Sequence, residues 1–101
     1  RRKIADRYLK SITNLKLPYQ HPDTNSCWHL FVIQAKDRNQ LYQKLKEKGI
    51  VTQVHYIPVN KQPFYNLAEL EHSTHLYNHC LSIPIYVDLT NEDQLKIIDS
   101  L

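Results

Sequence analysis

The residues with the most chemical potential lie in one stretch of eleven residues, from His55 to Tyr65. It combines a histidine, two tyrosines, an asparagine, a lysine and a glutamine with Pro58 and Pro63. Proline fixes its own φ angle and so lowers the entropy that is lost when a loop becomes ordered. A stiffened loop of this composition suits the presentation of hydrogen-bond donors and ring faces to a ligand. A surface loop whose rings merely cover the core explains the composition equally well.

A second possibility is a metal site, since His72, His75 and His79 stand at i, i+3 and i+7, beside Cys80. Zinc binds His and Cys ligands in a tetrahedral shell. In a helix these three histidines would span about 10 Å, at about 1.5 Å per residue. Three ligands at about 2 Å from one ion do not fit that span. We therefore expect exposed histidines here and no bound metal.

The other nucleophilic or titratable residues favour structural roles. His29 alternates with apolar residues and is expected to be a partly buried, hydrogen-bonded histidine. Cys27 and Cys80 have no neighbouring base to activate them, so we expect inert buried thiols. Two distant cysteines without a close pair are typical of a reducing compartment, which indicates a cytoplasmic protein without a disulfide.

The elements that must position the loop follow from the apolar spacing. An apolar stripe predicts a helix over 3–15, and Asp37 and Gly49 are suited to begin and end a second helix. Thr90 is suited to begin the last helix. Strands are predicted over 28–33, buried on both faces, over 50–56 and over 81–84, and short helical stretches over 65–70 and 73–80. The order predicts an α/β fold, a small two-layer sandwich of about three strands with helices packed on one face.

Composition excludes several classes of function. A chain of 101 residues with 42% apolar residues forms one globular domain, residues 1–101. Gly49 is the only glycine, which excludes the glycine-rich phosphate loops of nucleotide-binding proteins. The sequence contains no run of about 18 apolar residues, the length that is needed to span a membrane.

The net charge of +3 arises mainly in the first sixteen residues, which we interpret as a solvated helix face. The alternatives are a small basic RNA-binding module, whose glycine-rich aromatic strand is missing, and a protein-interaction domain.

Three motifs, in this order and spacing, resemble one known family. The first is Ser-Cys-Trp-His-Leu-Phe-Val over 26–32, and the second is Thr-Gln-Val-His-Tyr-Ile-Pro-Val over 52–59, followed by Gln-Pro-Phe-Tyr over 62–65. The third is Leu-Ser-Ile-Pro over 81–84, before the last helix. Together they are similar to the C-terminal small domain of the DegT/DnrJ/StrS-type nucleotide-sugar aminotransferases, which have fold type I. The His-Tyr-Ile-Pro-Val form is most similar to the branch that acts on UDP-4-keto sugars in pseudaminic acid biosynthesis.

The resemblance implies a pyridoxal phosphate (PLP) enzyme whose cofactor is held by a large domain outside these residues. It implies that the chain is a piece of a longer protein, a substrate-closing domain that is inactive alone and binds no cofactor. Lys36, Lys44, Lys46, Lys48 and Lys61 match no family Schiff-base lysine. The implied partners are the large domain, a second subunit of a homodimer and the nucleotide sugar, with no nucleic acid and no membrane.

By position, the resemblance assigns substrate binding to five residues of the loop: His55, Tyr56, Asn60, Gln62 and Tyr65. His55 and Tyr56 match the family's His-Tyr pair. Asn60 departs from the histidine that many relatives carry. The implied role of the loop is to position substrate by hydrogen bonds and ring stacking. Catalytic residues are not assigned within these 101 residues, and glutamate is the implied amino donor.

Overall fold

The computed structural model describes residues 1–65, 68 and 70–101. This part of the chain contains four α-helices and two strands. In chain order they are α1 (Arg2–Ser11), β1 (Phe31–Gln34), α2 (Arg38–Glu47), α3 (Glu71–His79), β2 (Cys80–Ile83) and α4 (Asn91–Ser100). A single 3₁₀ turn, Val59–Lys61, lies within the loop between α2 and α3. The helical stretch expected over 65–70 lies partly outside the described residues.

The two strands form an antiparallel ladder in which Phe31 pairs with Ile83 and Gln34 with Cys80. Phe31 and Ile33 are fully buried, whereas Val32 and Gln34 are only half-buried. This alternation of burial shows that β1 buries one face, because successive side chains of a strand point to opposite faces. The expectation of a strand buried on both faces is therefore wrong for β1. In β2, by contrast, all four residues are buried.

The strand expected over 50–56 contributes one isolated bridge rather than a ladder. Gln53 and Ser82 exchange two backbone hydrogen bonds, of 3.2 and 2.8 Å. Continuation of the antiparallel register would place Val51 opposite Pro84, which has no N–H to donate. At its start the segment is tied to α2 instead, since the Ile50 N–H bonds to the Leu45 carbonyl. The sheet thus has two strands, with a third segment beside β2.

Local signals in the sequence locate the helix ends well. The Asp37 carboxylate accepts a hydrogen bond from the Gln40 N–H, and the Thr90 hydroxyl accepts one from the Asp93 N–H. Both are N-caps of the expected kind. Gly49 has a φ of 78°, in the left-handed region that glycine adopts at helix C-termini. The predicted beginnings of α2 and α4 and the predicted end of α2 are confirmed.

The core lies between the sheet and the helices. Fully buried side chains from α1, β1, α2 and β2 meet there, and the largest are Tyr8, Phe31, Ile33, Leu45 and Leu81. The rings of Tyr8 and Phe31 lie 5.0 Å apart, and those of Trp28 and Phe31 lie 5.4 Å apart. Ile97 of α4 completes the cluster. The α/β class and the two-layer arrangement are confirmed.

Two predictions at the ends of elements are wrong. α1 ends at Ser11 instead of continuing to residue 15, because the chain turns away so that Lys16 pairs with the edge of β1 at Gln34. β1 begins at Phe31 rather than Trp28, whose φ of 51° is incompatible with a strand. His29 and Cys27 therefore lie outside the sheet and are exposed, not buried. Cys80 is buried as expected, and both thiols are free.

Candidate functional site

The loop from His55 to Tyr65 leaves the third segment beside β2 and is mainly exposed. Tyr56 is 75% exposed and Phe64 is 90% exposed, and Ile57, Val59 and Tyr65 are each more than half exposed. The 3₁₀ turn Val59–Lys61 begins after Pro58, whose φ is −55°. So much exposed apolar and aromatic surface on one loop is typical of a surface that contacts another molecule.

His55 is the best-fixed polar side chain of this loop. It is half-buried, and its Nδ1 lies 2.9 Å from the Ser82 hydroxyl oxygen of β2. The Tyr56 ring meets the His55 ring edge-on, with centroids 4.7 Å apart. The contacts to Ser82 and Tyr56 determine the ring orientation, so that Nε2 is the polar atom left for a ligand.

Asn60 and Gln62 stabilise the loop from within. Asn60 is 5% exposed, and its amide N–H donates to the Ala68 carbonyl at 3.0 Å. The Gln62 amide donates to the Ile57 carbonyl, also at 3.0 Å. The Asn60 amide thus ties the loop to the residue Ala68 beyond its end, and the Gln62 amide ties the loop to itself. Of the five residues that the resemblance assigned to the substrate, Tyr56 and Tyr65 are exposed, His55 and Gln62 are half-buried, and Asn60 is buried.

Tyr65 lies at the far end of the loop beside Phe64. The two rings meet edge to face, with centroids 5.2 Å apart, and both are exposed. Ring faces of this kind stack on planar groups of a ligand. The structure thus places one aromatic pair near each end of the loop, His55 with Tyr56 and Phe64 with Tyr65.

Two open clefts adjoin His55. One, of about 170 Å³, is lined by His29, Thr52 and Ser82 among others. The other, of about 520 Å³, is lined by Tyr42 and Tyr56 together with the 52–55 segment. Their common members Thr52, Gln53 and His55 place the histidine between them. His55 therefore lines both clefts.

The residues of this chain do not fit PLP. A Schiff-base lysine must lie in an enclosed pocket from which water is removed. Lys36, Lys44, Lys46, Lys48 and Lys61 are all exposed. Glycine-rich backbone that could hold the phosphate is missing from the sequence. No step of cofactor chemistry is therefore assigned to these residues.

The three histidines of α3 do not converge on one point. His72 and His75 are exposed, and His79 is half-buried. The rings of His75 and His79 stack 4.2 Å apart, and the His79 Nδ1 lies 2.6 Å from the His75 carbonyl oxygen. Within residues 1–65, 68 and 70–101, no group of three potential ligands is arranged to hold a metal ion.

The structure does not favour the RNA-binding alternative. Four-stranded RNA-binding sheets carry their stacking rings on the strands. In the described part of the chain the ladder has two strands, and its aromatic residue, Phe31, is fully buried. The basic residues Arg1, Arg2 and Lys3 are exposed around the start of α1, as expected of a solvated helix face.

The sequence does not predict two anchoring contacts, one of Ser82 to His55 in the site and one of Arg38 in the fold around it. Arg38 is 8% exposed and donates to the carbonyl oxygens of Tyr77 and Cys80, at 2.9 and 3.2 Å, which ties α2 to the junction of α3 and β2. Ser82 and His55 are 27 positions apart. A charged residue at a helix start and a serine within an apolar strand were the available signals.

Comparison with known proteins decides the family. The model of the DegT/DnrJ/EryC1/StrS aminotransferase family matches residues 1–101, the whole chain. The chain belongs to this family. Its members are PLP-dependent sugar aminotransferases, and their solved structures share the fold described above.

Individual members of the aminotransferase family are similar over almost the whole chain. The dTDP-3-amino-3,6-dideoxy-alpha-D-galactopyranose transaminase of Aneurinibacillus thermoaerophilus is 33% identical, over 100% of this chain and 30% of its own length. Streptomyces venezuelae DesV, solved with a ketimine intermediate, is 31% identical with a TM-score of 0.91, over 97% of this chain and 29% of its own. The chain thus spans about three-tenths of the length of these aminotransferases.

The pseudaminic acid enzyme PseC of Helicobacter pylori has the same fold. It is 24% identical, with a TM-score of 0.81, over 97% of this chain and 29% of its own. At this identity the likeness concerns the fold and not the substrate.

None of the helices in the described residues is long and apolar enough to cross a membrane.

Proposed function

We propose that this chain is the C-terminal, substrate-closing domain of a PLP-dependent aminotransferase that acts on a nucleotide-linked sugar. The observation that carries the proposal is the loop from His55 to Tyr65, which combines a histidine bonded to β2 with three exposed aromatic rings, those of Tyr56, Phe64 and Tyr65, in a member of the aminotransferase family. The cofactor and its Schiff-base lysine belong to a large domain outside these residues. The C-terminal domain formed by residues 1–101 is not catalytic alone.

In this proposal the loop covers one side of the substrate. His55 donates or accepts a hydrogen bond through Nε2, and Tyr56 and Tyr65 offer ring faces to the sugar or the base. Asn60 and Gln62 act mainly by holding the loop in shape, since their side-chain amides donate to the carbonyl oxygens of Ala68 and Ile57. Removal of water by loop closure strengthens the electrostatic interactions in the pocket.

The substrate that we propose is a nucleotide-linked 4-keto-6-deoxy sugar, with glutamate as the amino donor. The His-Tyr-Ile-Pro-Val sequence of the loop supports the 4-keto position. The name of the Aneurinibacillus relative places its amino group at C3. We further propose that the enzyme is a cytoplasmic homodimer and that its product serves cell-surface polysaccharide biosynthesis.

The test is a transaminase assay on the full-length protein with 4-keto and 3-keto nucleotide sugars. Turnover of the 4-keto substrate with glutamate, together with PLP absorbance, is the expected result. Turnover of the 3-keto sugar alone would overturn the substrate position while leaving the transaminase intact. Absence of turnover with either class, in a protein with bound PLP, would overturn the proposal that nucleotide sugars are the substrates.

The role of the loop is tested by His55→Ala in the full-length protein. We expect kcat/KM for the sugar nucleotide to fall about tenfold or more, because a positioned hydrogen bond contributes roughly 1–2 kcal/mol. PLP absorbance should not change. His72→Ala, at an exposed histidine of α3, is the matched control. Equal kinetics for the two variants would remove His55 from the site.

A further inference from the structure

Ser82 is held more firmly than any residue of the loop. It lies in β2 between two neighbours: it pairs with Val32 of β1 on one side, and with Gln53 through two backbone hydrogen bonds on the other. It is 7% exposed. Its backbone cannot move without breaking these pairs, so the position of its hydroxyl oxygen is fixed by the sheet.

The His55 ring is the hydrogen-bond partner of this hydroxyl. Nδ1 and Oγ lie 2.9 Å apart, and in the described residues Ser82 Oγ has no second partner. A buried hydroxyl needs an acceptor for its proton, since an unsatisfied donor is costly to bury. Nδ1 is the acceptor that the described residues offer to this hydroxyl, and it accepts only in the tautomer in which Nδ1 is unprotonated.

The consequence concerns the other ring nitrogen. If Nδ1 accepts from Ser82, the single proton of neutral imidazole is on Nε2. We propose that Ser82 is a positioning residue that sets the tautomer of His55, so that the neutral ring presents Nε2–H as a donor to an oxygen atom of the bound sugar nucleotide. The edge contact with Tyr56 holds the ring plane while Ser82 sets the proton. The hydrogen bond to the sugar nucleotide rests on the proposed function, whereas the tautomer of His55 does not.

The tautomer can be measured directly in the full-length protein. Uniform ¹⁵N labelling of histidine gives each ring nitrogen a shift that distinguishes protonated from unprotonated atoms, and His55→Phe identifies the His55 signals. At a pH where the ring is neutral, we expect a protonated Nε2 and an unprotonated Nδ1. A proton on Nδ1 would overturn the proposal, whatever substrate the enzyme uses.

Kinetic variants test whether the hydroxyl matters through His55. Ser82→Ala should raise the KM for the sugar nucleotide about tenfold, which is the change in affinity expected when one hydrogen bond is lost. We expect kcat and PLP absorbance to change little. Ser82→Thr keeps a hydroxyl and suits a strand, so it should restore most of the affinity. Ser100→Ala is the matched control, since Ser100 is also a buried serine, in α4, that donates to the Lys96 carbonyl.

A double-mutant cycle separates positioning from simple destabilisation. In a His55→Phe background, Ser82→Ala should have no further effect on KM, because its partner is already gone. An effect of equal size in both backgrounds would show that Ser82 acts by another route and would overturn the proposal. If no nucleotide sugar is turned over at all, the proposed function fails, and the ¹⁵N measurement still decides the tautomer.

Discussion

The Tyr8 hydroxyl of α1 donates a 2.6 Å hydrogen bond to the carbonyl oxygen of Pro84, just after β2. The ring is fully buried against Phe31. Burial raises the pKa of the Tyr8 phenol well above its usual range, and the nearby Tyr86 adds to the shift. The pair joins the first helix to the end of the sheet by a bond that requires the neutral phenol.

This relationship predicts a loss of stability in alkali. Below about pH 10 the tyrosine is neutral in both states, and the contribution of Tyr8 is complete. Above about pH 10 the unfolded chain releases the phenol proton while the folded chain keeps it, so the free energy of unfolding falls with rising pH. Tyr8→Phe should make this fall smaller, at a cost of about 1 kcal/mol at neutral pH.

Urea unfolding between pH 7 and pH 11 measures the effect. Tyr19→Phe, at an exposed tyrosine, is the control and should keep the wild-type slope. An unchanged slope in Tyr8→Phe would show that other groups cause the alkaline loss.

The contacts of Arg38 predict that the stability of the fold requires an arginine at the start of α2. Its guanidinium donates to the Tyr77 and Cys80 carbonyls and lies 5.6 Å from the centre of the Tyr77 ring. Both carbonyls accept from Nη1, while Nε donates to the Asn39 side-chain oxygen. Lysine has a single nitrogen and cannot occupy both donor positions. Arg38→Lys should therefore lower the free energy of unfolding by about 2 kcal/mol, the scale of charged hydrogen bonds. Hydrogen exchange of α3 measures it, with Lys44→Arg as the control, and unchanged exchange would contradict it.

The buried hydroxyl of Thr52 predicts that a substitution at this position can stabilise the fold. Its hydroxyl is buried, and it has no hydrogen-bond partner in the described part of the chain. Thr52→Val has nearly the same shape without the unsatisfied group. We expect the free energy of unfolding to rise by about 1 kcal/mol, the lower end of the cost of burying a polar group. Thermal unfolding is the measurement, and Thr13→Val, at an exposed site, should change it little. A destabilised Thr52→Val protein would show that the hydroxyl has a partner.

Asn60 predicts a structural role that differs from that of His55. Because its amide N–H donates to the Ala68 carbonyl, Asn60→Ala should loosen the loop and cost about 1–2 kcal/mol locally. Limited proteolysis should then cut faster between residues 57 and 68. Gln43→Ala, on the exposed side of α2, is the control. Cleavage at the wild-type rate would show that the Asn60 bond does not hold the loop.

The sequence predicted those features whose causes are local. Asp37 and Thr90 cap helices through a backbone N–H three residues further on, and Gly49 ends a helix by its own conformation. Each needs only a few neighbouring residues to be recognised. The composition of the loop and its position after an extended segment were readable for the same reason.

The features that the sequence did not predict depend on distant partners. The segment 50–56 has strand composition, and its pairing is limited by Pro84, which lies opposite Val51 and 33 positions after it. His29 looked like a strand residue, and the backbone at Trp28 keeps it outside the ladder. The assigned substrate role of Asn60 could not anticipate its bond to Ala68. Contacts of this range follow from the tertiary arrangement rather than from local pattern.

Gly49 connects α2 to the segment that carries His55, and its φ of 78° sets the direction of that segment. A Cβ placed there would meet no atom within 4 Å. The demand for glycine is therefore one of chirality and not of room: an L-residue is disfavoured by its own backbone, whereas a D-alanine would adopt the same torsion without strain. The direction in which the substrate loop is delivered thus depends on a single achiral position.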